Sequence, residues 1–233
     1  MYDTSNHFEL HGVQQARPCV KAWLVAIIRI LFLPGWVNMD WDERYSEAGF
    51  AYGESPNDYL VSVTQEVTGK QVLSLAEGEG RNAVYLAKQG YEVTAVDSSG
   101  IGLEKAQALA QKSQVNIKTV VADLADFMPG IEQWDAVVSI FCHLPTTIRE
   151  QLHKKVIAAL RPGGVLILEA YRPQQLEFAT GGPGDAGLMM TLEQLEKELH
   201  GLTFEIAHEI ERDVIEGKYH HGRAAVVQIL ARK

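Results

Sequence analysis

The sequence predicts an α/β fold with a doubly wound, mostly parallel sheet of seven strands. Short apolar runs alternate with helical patterns between residues 72 and 170, as expected of strands joined by helical crossovers. A glycine-rich turn separates the first apolar run from the first of these helices. Two further strand patterns close the chain, joined by the short stretch GKYHHG. The crossovers predict a parallel sheet covered on both faces, and the closing pair adds an antiparallel hairpin.

The first strand, turn and helix occupy residues 72–87, VLSLAEGEGRNAVYLA. The run VLSL predicts a buried strand, and Gly78 and Gly80 end it. Glycine suits this turn because the backbone must bend sharply and lie against a ligand without an intervening Cβ. Asp97 ends the next apolar run, seventeen residues after Gly80. Rossmann-like folds place a ribose-binding carboxylate at that point, so the unit predicts a nucleotide-type site.

The remaining elements follow from periodicity and from breaker residues. An early helix is expected from Pro56 to about residue 68, ended by Gly69. Further strands are expected at 91–96, 117–121, 134–140 and 165–170, with helices at 101–112, 147–160 and 192–199. The closing hairpin is expected from strands at 204–211 and 224–231.

Charge in the glycine turn bears on the choice of adenosine ligand. Glu77 and Glu79 flank the glycines, and a dinucleotide would bring its pyrophosphate to the bare N–H groups of this helix end. We expect the two carboxylates to repel a phosphate and to tolerate the positive sulfonium of S-adenosylmethionine (SAM). The turn therefore favours SAM over NAD.

Composition limits the classes of partner. The chain has 233 residues, 46% of them hydrophobic, and a net charge of −9, which favours a small-molecule substrate over nucleic acid. Cys19 and Cys142 lie far apart without a CxxC pair, a pattern expected of a reduced, cytoplasmic protein without structural zinc. No metal site is predicted; His220 and His221 lack a spaced third ligand and are expected in a solvated hairpin turn.

The N-terminal residues 1–38 differ from the rest of the chain. Residues 20–37 are strongly apolar but include Arg29 and Pro34. A central arginine costs about 2.5–3.5 kcal/mol on insertion scales, so a membrane span is not expected. We expect Met39 to be the physiological start and residues 39–233 to form the domain. A helix packed on the protein surface or touching a membrane is the second interpretation of 1–38.

The segment 41–56, WDERYSEAGFAYGESP, is aromatic and polar without clean periodicity. It predicts a loop or broken helix that lies over another part of the fold. One interpretation is packing against the core. The other is a lid from which Arg44 or Tyr45 reaches the cofactor.

Residues 41–233 resemble the class I SAM-dependent methyltransferases. The stretch GRNAVYLA is similar to the small-molecule branch that includes tellurite-resistance and thiopurine-type enzymes, whose usual turn is DLGCGxGRN. Here SLAEGEGRN puts Ser74 at the acid, Ala76 at the first glycine and Glu77 at the small residue. The LRPGG before the fifth strand and the closing hairpin are further points of resemblance.

The resemblance implies a role for each cofactor contact. The glycines and the N–H groups before Ala83 would meet the methionine part of SAM, with Asp97 on the ribose hydroxyls. Asp123 and Leu124 would face adenine, although Asp123 is also a natural strand-end cap, and Phe141 would pack on the adenine or sulfonium. The complete set implied to bind cofactor is Glu77, Gly78, Gly80, Arg81, Asn82, Asp97, Ser98, Asp123, Leu124 and Phe141.

The methyl acceptor is less well defined. His143, two residues past Phe141, lies where the family lines its substrate pocket and is the candidate base, with a structural histidine as the alternative. A thiol acceptor needs little or no base. Tyr171 and Arg172, together with Arg44 and Tyr45, are the candidate substrate contacts. The resemblance implies an enzyme that methylates a small molecule, as a monomer or homodimer. An NAD-dependent oxidoreductase and a SAM-binding regulator without turnover are the alternatives.

Overall fold

The computed structural model describes residues 40–233, and these form one compact unit. The segment 1–38, on which the start-site prediction falls, lies outside the described residues. The helices in this part of the chain are α1 (Trp41–Ser46), α2 (Asp58–Val63), α3 (Arg81–Lys88), α4 (Gly100–Lys112), α5 (Thr146–Ala159) and α6 (Leu192–Glu198). Three short 3₁₀ turns lie at Thr64–Glu66, Pro173–Glu177 and Ala186–Leu188.

Seven strands form a single sheet in the described residues, in the order β3-β2-β1-β4-β5-β7-β6. They are β1 (Gln71–Leu75), β2 (Glu92–Asp97), β3 (Lys118–Val121), β4 (Trp134–Ile140), β5 (Leu160–Tyr171), β6 (Thr203–Glu216) and β7 (His220–Arg232). The first five strands are mutually parallel, and β7 pairs antiparallel with both β5 and β6. The predicted fold class is therefore confirmed.

Alternating side chains of the parallel strands fill two cores. Val72, Ala95, Val138 and Ile167 pack with α2, α3 and α4 on one face. The other face packs with α5 and α6, as expected where helices cover both sides of a parallel sheet. The carboxyl ends of β1, β2, β4 and β5 consequently meet at one edge, where open α/β sheets bind ligands.

Several predicted boundaries differ from the structure; β5, for example, begins at Leu160 and not at residue 165. α2 begins at Asp58 because Asn57, not Pro56, caps it by accepting a hydrogen bond from Leu60 N at 2.9 Å. Segment 41–56 contains a true helix, α1, capped by Asp40. The hairpin strands are longer than expected, so that the turn contains only residues 217–219. None of the helices between residues 40 and 233 has the length and apolar character needed to cross a bilayer.

Candidate functional site

The turn after β1 uses left-handed backbone at three positions. Ala76, Gly78 and Gly80 have φ of 49°, 63° and 94°. A Cβ on Gly80 would lie 2.6 Å from Ala106 of α4, so only glycine allows this helix to pack against the turn. Ala76 adopts the same backbone region with a side chain, although the left-handed region is unfavourable for alanine. The alanine at the position of the usual first glycine thus takes the backbone conformation that favours glycine.

The Glu77 carboxylate caps the N-terminus of α3. Its carboxylate is 7% exposed and accepts hydrogen bonds from Asn82 N at 3.0 Å, from Ala83 N at 2.9 Å and from the Ser74 hydroxyl. Burial raises the pKa of Glu77, and these hydrogen bonds oppose the rise. The N–H groups of Asn82 and Ala83 thus donate to Glu77, and their binding of a SAM carboxylate stays a prediction.

Glu79 is also neutralised internally. Its carboxylate accepts from Ala51 N at 2.7 Å and pairs with Lys105 Nζ at 2.9 Å. The two acids therefore do not form the open negative pair expected from the sequence, since one binds the helix end and the other binds the segment before α2. The structure therefore gives a different physical reason why this turn disfavours a pyrophosphate. A carboxylate fills the helix end that a phosphate would need.

Asp97 ends β2 beside the turn. It is 6% exposed, and its two oxygens accept from Gly78 N and Ser99 N, each at 2.8 Å. Burial raises the pKa of Asp97 against the effect of these N–H groups. The adjacent Ser98 is exposed. The sequence therefore identified a carboxylate that lies directly against the glycine turn.

Tyr45 of α1 covers the same turn. Its side chain is 5% exposed, and a Cβ on Gly78 would lie 2.5 Å from its hydroxyl oxygen. A Cβ on Gly102 would lie 2.8 Å from its ring. Burial is the largest cause that raises the pKa of Tyr45, and the negative charge of Asp97 raises this pKa further. The structure thus brings α1 onto the turn, at the place where the sequence suggested a lid.

Arg81 and Asn82, the two polar residues of the GRN motif, point toward other elements. Arg81 pairs with Glu216 of β6 at 2.7 Å. The Asn82 side-chain oxygen accepts from Asn57 N at 2.9 Å. Both side chains therefore join α3 to its neighbours instead of lining the turn.

The expected adenine contacts lie after β3. Asp123 is exposed and accepts from Ala125 N at 2.9 Å, while Leu124 is 7% exposed. The bond to Ala125 is the strand-end cap that the sequence left open as an alternative. Adenine recognition by Asp123 stays a prediction.

Aromatic rings gather where β4 and β5 end. Phe141, with φ of 52°, stacks on Tyr171 at a centroid distance of 4.5 Å. His143 lies 5.6 Å from Tyr171, stacked at 13°. His220 meets Phe141 edge-on at 4.8 Å and lies 4.6 Å from Tyr52. The group links the end of the parallel sheet to the β6–β7 hairpin and to the segment before α2.

The two ring nitrogens of His143 face backbone groups. Nδ1 lies 3.1 Å from Leu188 O and therefore carries the proton, while Nε2 accepts from Tyr171 N at 3.4 Å. Burial lowers the pKa of His143 to about 4. This geometry holds a neutral ring in place and gives the catalytic interpretation no support in this conformation.

The prediction of a solvated turn for His220 is wrong. His220 begins β7, is 8% exposed and lies 3.3 Å through Nδ1 from Glu216 Oε2. Adjacent His221 is exposed. The signal that could have found the pair is its spacing, because a three-residue turn brings Glu216 and His220 opposite each other.

A buried polar network that the sequence did not reveal surrounds this pair. Glu169 of β5 is fully buried and accepts from Arg212 at 2.7 and 2.8 Å, from Gln228 at 2.6 Å and from Asn57 at 2.6 Å. Asn57 also donates to Glu216 at 2.9 Å. Paired charges and satisfied amides make such burial tolerable. The sequence analysis did not predict this network, because patterns of apolar residues do not show which polar side chains pair across the sheet.

The remaining candidate substrate contacts lie apart from one another. The Arg44 guanidinium lies 3.8 Å over the Tyr219 ring at the hairpin tip. Arg172 pairs with Glu209 at 2.7 Å, and its buried Nε has no partner among the described residues. Across residues 40–233, no three His, Cys, Asp or Glu side chains converge in a metal-binding arrangement.

The strand order, the glycine turn after β1 and the carboxylate after β2 define an α/β protein of the methyltransferase type. Comparison with known proteins agrees: a family model described as a methyltransferase domain matches residues 72–164. Residues 72–164 are therefore similar to a methyltransferase domain, in agreement with the resemblance to class I SAM-dependent methyltransferases found in the sequence.

Two curated relatives are each 30% identical to the chain over their aligned regions. Glycine/sarcosine N-methyltransferase from Aphanothece halophytica aligns over 59% of this chain and 53% of its own length. Ubiquinone biosynthesis O-methyltransferase from Coxiella burnetii aligns over 46% and 47%, respectively. The chain thus spans about half the length of these relatives.

Solved structures share the fold. TehB from Haemophilus influenzae superposes with a TM-score of 0.64 at 20% identity, covering 83% of this chain and 65% of that protein. A SAM-dependent methyltransferase from Methanosarcina mazei gives 0.59 at 18% identity, with 77% and 98% covered. At this identity the similarity concerns the fold alone.

Proposed function

We propose that the protein transfers the methyl group of SAM to a small-molecule acceptor. The observation that carries the proposal is the placement of Asp97 against the Gly78 N–H at the carboxyl edge of the sheet, within the part of the chain that matches a methyltransferase domain. SAM supplies a methyl group on a positively charged sulfur, which is already a good leaving group. The protein then has to position the acceptor and exclude water.

The residues at this edge fit an adenosyl ligand. Gly78 and Gly80 shape the turn at this edge, and the Tyr45 hydroxyl fills the space beside Gly78, so a ligand that contacts the Gly78 backbone has to displace Tyr45. Backbone N–H groups hold Asp97 in place, and its carboxylate is an acceptor suited to a ribose hydroxyl. We assign Asp123 and the Leu124 N–H to the recognition of adenine. Phe141 and Ser98 are assigned to the neighbouring walls of the same ligand site. Tyr45 and Arg44 cover the bound ligand from α1.

The structure gives a dinucleotide less support. Glu77 occupies the α3 N–H groups that would bind a pyrophosphate. As long as Glu77 occupies these N–H groups, the amino-acid end of SAM has to bind to other groups of the turn. An NAD-dependent oxidoreductase is therefore the weaker candidate.

The acceptor is assigned to the small-molecule class on two grounds. The relatives are named for methylation of glycine or sarcosine and for ubiquinone biosynthesis, and the net charge of −9 is unfavourable for nucleic acid. The proposal includes a cytoplasmic location and a monomer or homodimer. Tyr171 and Arg172 are assigned to the acceptor side.

Ligand-dependent thermal unfolding of the full chain tests the cofactor. SAM and S-adenosylhomocysteine are expected to raise the melting temperature, and NAD and NADP to leave it unchanged. A larger shift with NAD than with SAM would overturn the proposal. Transfer of a labelled methyl group to a panel of amines, hydroxyls and thiols separates an enzyme from a SAM-binding regulator, which would bind without turnover.

A further inference from the structure

His220 is a buried histidine next to the candidate site, and the roles assigned so far do not use it. Its ring lies 4.8 Å from Phe141, which follows β4, and 5.2 Å from Tyr171, which ends β5. Tyr52 lies 4.6 Å from His220 and 6.4 Å from Tyr45, the residue that covers Gly78. A continuous chain of rings thus connects His220 to the glycine turn.

The contacts of His220 determine which nitrogen holds the proton. Glu216 is ionised, because the Arg81 charge and the His220 hydrogen bond overcome the effect of burial and lower the pKa of Glu216 to about 2. A carboxylate only accepts hydrogen bonds, so the His220 Nδ1 facing it must be the donor. Nε2 then carries the lone pair. Within the described residues no hydrogen bond to Nε2 is found.

Glu216 is itself firmly held. It pairs with Arg81 of α3 at 2.7 Å and accepts from Asn57 at 2.9 Å. A carboxylate fixed in this way orients the imidazole and stabilises its positive charge after proton uptake. The pair therefore has the arrangement of an oriented base, in contrast to His143, whose two nitrogens both face backbone groups.

The charges around His220 favour a neutral ring at rest. Burial lowers the pKa of His220, while Glu216 opposes the decrease. A neutral imidazole is the form that can take a proton near neutral pH. The titratable or charged groups that face it from the packed elements are Glu216, Arg81, Glu169, Tyr171, Tyr52 and His143.

We propose that His220, oriented by Glu216, is the general base that accepts the proton of the methyl acceptor, which is therefore a nitrogen or oxygen nucleophile and not a thiol. This inference rests on the proposed function. A soft thiol reacts without such assistance, whereas an amine or hydroxyl must lose a proton.

The step balances without a further reactant. The acceptor lone pair forms the bond to the methyl carbon, and the carbon–sulfur bond breaks with its electron pair passing to sulfur. The N–H or O–H proton moves to His220 Nε2 and gives an imidazolium beside the Glu216 carboxylate. The proton leaves to water after the products dissociate.

The first experiment compares His220→Gln with His221→Gln in the full chain. His221 is adjacent but exposed, so its substitution controls for a general effect on the hairpin. Methyl transfer from labelled SAM is measured from pH 5 to pH 9 with glycine, catechol and 2-mercaptoethanol as acceptors. We expect His220→Gln to lower kcat by about 10²–10⁴-fold for glycine or catechol, to remove the titration at low pH and to leave SAM affinity unchanged.

A second experiment does not depend on turnover. Nitrogen-15 NMR of the histidine rings, with the His220 signal assigned in the wild type through its bonds to the His220 backbone, should show an Nδ1–H tautomer that protonates below the usual histidine pKa of about 6.5. The Glu216→Gln variant should change this titration. If His220→Gln does not fold, this spectrum decides the question on the wild type.

Three results would overturn the proposal. They are an Nε2–H tautomer in the spectrum, wild-type kcat and pH dependence in folded His220→Gln, or turnover of the thiol alone. Failure of the wild type to bind SAM would instead refute the proposed function, so the two failures are distinguishable. If no acceptor in the panel turns over, the tautomer and its titration decide.

Discussion

Replacement of Glu77 by alanine should destabilise the fold strongly. The change removes the acceptor for two buried backbone N–H groups, at Asn82 and Ala83, and for the Ser74 hydroxyl. Each buried donor left unpaired costs about 1–3 kcal/mol. With partial hydration of the new space, we expect the free energy of unfolding to fall by roughly 3–5 kcal/mol, a large fraction of the usual 5–15 kcal/mol.

Urea unfolding followed by circular dichroism measures the change. Glu104→Ala is the matched control, because Glu104 is an exposed helical glutamate, and it should cost less than about 0.5 kcal/mol. Adding Ser74→Asp to the Glu77→Ala variant should restore at least about 1 kcal/mol by returning a carboxylate to the helix end. Equal, small effects of Glu77→Ala and Glu104→Ala would refute the assignment of Glu77 as the anion of this helix.

Two further predictions concern a ligand contact and acid stability. Asp97→Asn should weaken SAM binding in calorimetry by about 1.5–3 kcal/mol, the scale of a hydrogen bond to a charged group, and wild-type affinity in a folded variant would remove Asp97 from the site. Burial opposes ionisation of Glu198, but hydrogen bonds from His153 and Arg149 lower the pKa of Glu198 from 4.5 to about 2. The ionised Glu198 therefore stabilises the fold above about pH 4.5, and this contribution is lost as the pH falls toward 2. Between pH 5 and pH 3 the stability of the wild type should therefore fall by about 1–2 kcal/mol more than that of Glu198→Gln, after allowance for screening; parallel curves would contradict this.

The parallel half of the fold was predictable because its strands are continuous apolar runs. β4 was predicted at its observed bounds, since both faces of WDAVVSI pack against helices. The glycine turn and Asp97 were predictable for a related reason: the tight backbone and the strand-end acid are local features of the sequence. These positions account for the correct prediction of the fold and of the carboxylate beside the turn.

The hairpin was harder to predict because its stability comes from distant pairing. β6 is largely half-exposed, and its polar residues bind across the sheet, as Arg212 binds Glu169. GKYHHG has the composition of a turn, yet pairing across the sheet extends β7 back to His220. The direction of the Glu77 side chain was similarly beyond local patterns, because it depends on where the α3 N–H groups lie after folding.

The buried carboxylate of Glu169 has a consequence for dissection of the chain. The region matched by the methyltransferase model ends at residue 164, but Glu169 depends on Arg212 and Gln228, more than forty residues further on. A fragment ending after β5 would keep the matched region and its glycine turn but would lose both of these partners of Glu169 and leave β5 as an unpaired edge strand. We therefore expect that a minimal version of the domain has to keep the C-terminal hairpin.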